Sequence, residues 1–95
     1  PNEDACEAVE AVCRAHGVSR ARVRGTVGSL VGALFHDAPG TTDIATEAFV
    51  LEGRVVPDDE GAPRASLTVA LADMEGRVHQ GTLVHGANPI CITME

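Results

Sequence analysis

The stretch Ala65-Ser-Leu-Thr-Val-Ala-Leu-Ala72, Asp73-Met-Glu-Gly76, Arg77-Val-His-Gln-Gly-Thr-Leu-Val84 decides the fold. Leu67, Val69 and Leu71 alternate with Ser66, Thr68, Ala70 and Ala72. A period of two is that of a strand with one face turned to a core. Asp73–Gly76 is a tight turn in which Gly76 supplies the left-handed residue. Arg77–Val84 then returns as the partner strand. Two strands joined by so short a turn must be antiparallel, so this stretch is a hairpin and not part of a helix-crossover unit.

Working upstream, Pro57-Asp-Asp-Glu-Gly-Ala-Pro63 is an exposed turn, and residues 44–56 hold the longest strand signal, ending in Ala48-Phe-Val-Leu-Glu-Gly-Arg-Val-Val56. Asp37–Asp43 is a loop rich in Pro, Gly and Thr. Leu30–His36 is an apolar run interrupted by Gly32, expected to be a strand with a bulge or a close approach there. Gly25–Ser29 is expected to break the chain. Val18–Gly25 alternates, with Arg20, Arg22 and Arg24 on one side and Ser19, Ala21 and Val23 on the other. At the N-terminus, Asn2 or Asp4 can cap a helix running to about His16, with Cys6, Val9, Val12 and Cys13 as its apolar stripe and Gly17 as its stop. Downstream, His85–Pro89 turns and Ile90–Met94 forms the last strand. One helix followed by about six mostly hairpin-linked strands gives an α+β fold, an antiparallel β-sheet packed with one N-terminal helix.

The 95 residues make one domain, 1–95. Starting at Pro1 and stopping inside a strand at Glu95, the chain is expected to lack residues at either end. A domain this short hides only about 60–65% of its unfolded surface, so association with further copies would help it. Apolar residues make up 44% of the chain, which excludes a disordered segment. Phe35 and Phe49 are the only aromatics. That argues against a base-stacking surface.

Seven arginines, no lysine and 14 acidic residues give a net charge of −7, which opposes nucleic-acid backbones and suits a cytoplasmic bacterial protein. No apolar run approaches a membrane span and no signal peptide is read, so no membrane partner is expected. Cys6 and Cys13, seven residues apart on one helix, lie about 10 Å apart along its axis, too far for a disulfide. With Cys91 they are expected to be buried free thiols in a reducing compartment.

Gly25-x-x-Gly28-Ser29-Leu30, Thr46-Glu47-x-x-x-Leu51-x-Gly53, Ser66–Ala72, Asp73-x-x-Gly76-Arg77-Val78 and Gly81-x-Leu83-x-x-Gly86 together resemble the plants-and-prokaryotes conserved (PPC) domain. The match runs from Ala15 to Glu95. The resemblance implies an antiparallel sheet packed on a helix and assembly of copies as a trimer. Relatives are commonly labelled DNA-binding, a label tied to plant members that carry a separate AT-hook. This sequence has no AT-hook. Many prokaryotic relatives show His-x-His on one strand and Gly-Gly-His on the next, a metal-type set. Ser66-Leu67-Thr68 and Gln80-Gly81-Thr82 stand at those positions here, and hydroxyls are poor zinc donors. No metal or other cofactor is therefore expected. Ser66, Thr68 and Thr82 remain as a face able to hold water or a small polar ligand.

Glu47 shares strand parity with Phe49 and Leu51, the side expected to pack inward. It reads either as a pocket acid near Ser66 and Thr68 or as a structural anchor bonded to amides or to an arginine of a neighbouring copy. Arg20, Arg22 and Arg24 read either as an anion contact or as a solvated face paired with acids such as Glu52. His79 and His85 flank Gly81. They are weak metal candidates with no third donor, and otherwise surface or interface residues. No nucleophile elbow or phosphate loop is present, and no catalytic residue is assigned. The leading expectation is a non-catalytic module that self-associates and binds a partner or small ligand. Two alternatives stand beside it: a nucleic-acid-binding regulator, and a ligand- or metal-binding protein with a cleft between subunits.

Overall fold

The computed structural model describes residues 3–24, 27–41 and 46–94. Helix α1 (Ala5–Ala15) starts where the Asp4 carboxylate accepts the Glu7 N–H at 3.0 Å, satisfying one of the four amides that a helix start leaves open. It ends in a paired cap. Gly17 takes φ 66°, and the Gly17 and Val18 amides turn back to the Arg14 and Cys13 carbonyls. Val18 is thereby committed to the helix end, which is one reason the first strand begins later than Val18. The buried side of α1 is Ala5, Cys6, Glu10 and Cys13. The expected stripe is corrected at Val12, which is 62% exposed, because the helix sits on the sheet through the Cys6–Glu10–Cys13 edge.

Six strands follow: β1 (Ala21–Val23), β2 (Val27–Leu30), β3 (Thr46–Pro57), β4 (Pro63–Ala72), β5 (Val78–Thr82) and β6 (Ile90–Met94). All pairings are antiparallel, in the order β5-β4-β3-β2-β6, with β1 also on β3. The result is a curled α+β sheet with one short helix. The two central hairpins are built alike. Asp58 and Asp73 each accept, through Oδ1, the amides two and four residues on, and a glycine with φ near +80° (Gly61, Gly76) sits three residues on. Asp-x-Glu-Gly is thus used twice, the aspartate replacing ladder bonds that the turn cannot make.

β2 occupies residues expected to be a break, and residues 31–36, expected to be a strand, run as bends. Gly32, at φ 69°, turns the chain out of the extended region. The segment then crosses over, closing on itself through a single bridge at Ala33–Thr41 and meeting the residue after β5 through another at Phe35–Leu83. The expectations resting on Asn2, Gly25 and Ile44 fall outside the described residues.

Strand β3 carries a bulge between Val50 and Glu52 that reverses its parity. Before it Ala48 and Val50 are buried; after it Gly53 and Val55 are. The expectation that Glu47, Phe49 and Leu51 pack inward is therefore corrected. Glu47 is exposed, and Phe49 and Leu51 are 47% and 48% exposed, because the residues between them fill the core. The core lies between α1, the crossing segment and the inner face of the sheet, with Leu30, Val55, Leu67 and Val69 at most 1% exposed. Gly53 permits its edge: a Cβ there would meet Val23 Cβ at 2.5 Å.

The three cysteines are free, as expected; Cys6 and Cys13 are buried and Cys91 is half-buried. Among the described residues no helix is long and apolar enough to cross a membrane.

Candidate functional site

Cross-strand partners in a sheet point to the same side, so the register fixes what the outer face displays. Its rungs run Arg22–Arg54–Ser66, then Glu52–Thr68–Thr82, then Phe49–Ala70–Gln80, then Ser29–Glu47–Ala72–Val78. One half is polar; the other carries Phe49, Ala70, Ala72 and Val78 together with Gln80, Ser29 and Glu47.

Three of the four expected pocket residues meet in the polar half. Thr68 and Thr82 hydroxyls lie 3.0 Å apart, and Ser66 shares their face. Glu47 does not join them. It pairs with Ala72, four residues beyond Thr68, or roughly 13 Å along the strand. The acids that do reach this half are Asp37 and Glu52. Asp37 accepts the Thr82 amide at 2.8 Å and the Thr82 hydroxyl at 3.4 Å. The amide bond holds the Asp37 carboxyl below the usual carboxylate range. With the Thr82 proton drawn to Asp37, the Thr68 hydroxyl donates to Thr82, and the lone pairs of Thr68 are left for a ligand.

Beside Thr68 is a recess of about 260 Å³ lined by Glu52, Arg54, Ser66 and Thr68. A second, of about 270 Å³, adjoins it through Glu52 and Arg54 and is also lined by Arg22, Arg24 and Gly53. The arginine expectation is corrected in part. Only Arg22 lies in a strand, since β1 spans Ala21–Val23; Arg20 sits in a bend and Arg24 just past the strand. All three are exposed, and Arg22 and Arg24 share a recess with Arg54, a residue the sequence did not single out.

The two histidines have different carboxylate partners. His79 Nε2 is 2.8 Å from Asp73 Oδ2, in a cavity of about 440 Å³ that Leu34, Thr41 and Arg77 also line. His79 holds the Asp73 carboxyl below its ordinary range, helped by the Arg77 and Glu75 amides. His85 Nε2 lies 2.9 and 3.0 Å from the two oxygens of Glu10, whose Oε2 also accepts the Ala65 amide at 2.7 Å. Among the described residues no three His, Cys, Asp or Glu side chains are placed to hold a metal ion. The hydroxyls of Ser66, Thr68 and Thr82 do not fit a zinc ion either. Nor does Cys6 offer a nucleophile: burial, with the charges of Asp4 and Glu10, pushes its thiol up to about 12.

Glu10, and Asp73 as the partner of His79, were not read from the sequence. A glutamate at a core-facing helix position is the one signal for the first, and an aspartate opening a turn three residues before a glycine is the signal for the second. Asp37 gives no sequence signal, as its partner Thr82 lies 45 residues away.

A family model described as the Plants and Prokaryotes Conserved (PCC) domain matches residues 1–95. No curated protein and no solved structure matches the chain.

Proposed function

Since the chain belongs to the Plants and Prokaryotes Conserved domain family, we propose that it is a non-catalytic association module. It pairs with copies of itself, as a trimer, through the half of its outer sheet face that carries Phe49 and Val78, and it holds a small ligand at the polar half. The observation that carries this reading is the division of the face along its rungs. Phe49 is 47% and Val78 74% exposed, on rungs with the half-buried Ala70 and Ala72. Phe49 is one of only two aromatics in the chain. Leaving one of them half in water in so small a domain forgoes on the order of 1 kcal/mol, which a second copy would recover. A net charge of −7 per chain accumulates on assembly, which weighs against a nucleic-acid partner and suits a cytoplasmic setting.

Light scattering at micromolar concentration is expected to give three times the 9.8 kDa of one chain. Phe49→Glu, on the exposed face, is expected to give the monomer with unchanged circular dichroism. A wild-type chain that stays monomeric, or a Phe49→Glu chain that assembles as the wild type does, would overturn the reading.

A further inference from the structure

The charges of the polar half are not balanced. Arg22 and Arg54 are direct cross-strand partners on the outer face. At that position Cβ atoms are about 5 Å apart and like charges repel. Arg24 lines the same recess, so three of the chain's seven cations converge on one spot of a molecule whose net charge is −7. Among the described residues the recess has one carboxylate, Glu52, whose one ion-pair partner is Arg54, at 3.4 Å. Among the described residues neither Arg22 nor Arg24 has an ion pair, although acids outnumber cations two to one in the sequence. Gly53 also lines the recess and adds no charge to it. Guanidinium groups present planar forks of donors that match two oxygens at once.

We propose that Arg22, Arg24 and Arg54 form a site for a small dianionic oxyanion group, that of a phosphate monoester, with Ser66, the cross-strand partner of Arg54, lining the adjoining recess. Two net positive charges in the recess match the two negative charges of such a group. The adjoining recess suits the rest of the molecule. Glu52 and the lone pairs of Thr68 accept there, so a ligand with a hydroxyl or amine beyond its phosphate is preferred to a bare acyl chain. The inference rests on the ligand-holding half of the proposed function and not on self-association.

Inorganic phosphate titrated into the isotope-labelled chain, followed by amide resonances, tests it, with light scattering on the same samples. Phosphate is expected to shift the amides of Arg22, Gly53, Arg54 and Ser66. Arg22→Ala and Arg54→Ala, both at exposed positions, are each expected to weaken binding at least about tenfold, the loss of one charge-assisted contact. Arg54→Lys, which keeps the charge and loses the fork, is expected to bind less tightly than wild type. Arg77→Ala, on the β4–β5 turn, is expected to bind as wild type.

Absence of shifts at these residues in a chain that still assembles overturns the site and leaves the association reading standing. Shifts in a chain that stays monomeric do the reverse. Phosphate binding unchanged in both alanine variants overturns the site. So does a duplex DNA that shifts these amides where phosphate does not, since the recess would then serve a polymer backbone.

Discussion

Replacing Glu10 by leucine is expected to cost about 3 kcal/mol. The Glu10 side chain is 6% exposed and bonds to two elements that have no covalent neighbour in common with α1. It accepts the Ala65 amide at the start of β4 at 2.7 Å, and His85 in the turn after β5 at 2.9 Å. A hydrogen bond to a charged group is worth about 1.5–3 kcal/mol net, and the Ala65 amide, left buried without an acceptor, adds to the loss. The His85 bond contributes about 1 kcal/mol, while the apolar leucine regains part of the sum by burial.

A domain of this length is stable by roughly 5–14 kcal/mol, so the change removes a large share. Melting should fall by about 12–24 °C at about 4–8 °C per kcal/mol. Glu10→Gln keeps an acceptor for Ala65 and a donor for His85, so it should cost about 1 kcal/mol. Urea unfolding of wild type, both Glu10 variants, His85→Ala and the Glu10→Leu/His85→Ala double variant, all at one protein concentration because assembly shifts apparent stability, gives the comparison. A Glu10→Leu chain within about 0.5 kcal/mol of wild type would refute the reasoning, as the amide would then have found another partner. Strictly additive costs in the double variant would refute the Glu10–His85 bond.

Three further outcomes are expected. Gly53→Ala places a Cβ 2.5 Å from Val23 Cβ and 3.0 Å from Leu67 Cδ2, both on packed elements. It should destabilise by about 1–3 kcal/mol in urea, whereas Ala70→Gly on the outer face should cost less. Asp73, whose carboxyl the His79 bond holds low, contributes stability that is present above the unfolded-chain value near ~3.9 and lost as pH falls through the folded value. Urea midpoints from pH 7 down to 3 should therefore drop in the wild type, and drop less for Asp73→Asn, which starts lower at pH 7; parallel curves would contradict this. With its thiol pushed up to about 12 and its side chain buried, Cys6 should resist alkylation at pH 8 until the chain unfolds, while half-buried Cys91 reacts first; mass mapping of labelled peptides decides the order.

What the sequence settled is local. Alternation from Ala65 to Ala72 placed Leu67, Val69 and Leu71 inward, and the inward residues of β4 are all buried. The Asp73–Gly76 turn and the Asp4 cap follow from a side chain acting within five residues of itself, and the Gly17 stop from a residue without a Cβ that can take φ 66°. The α+β order of elements follows from the same local signals. The family could be read too, because glycine spacing reports such turns.

The site depended on distance across the fold. One inserted residue in β3 turned Glu47, Phe49 and Leu51 outward, and the alternation of β3 does not mark this bulge, which shows only in its register with β4. Arg54 joined Arg22 only through the β1–β3 register, and Asp37 reached Thr82 only because Gly32 sends the crossing segment over the sheet. Strand period and turn chemistry are written in neighbouring residues. Which faces meet, and which charges are left without a counterpart, is settled by pairings tens of residues apart, and those exist only once the chain has folded.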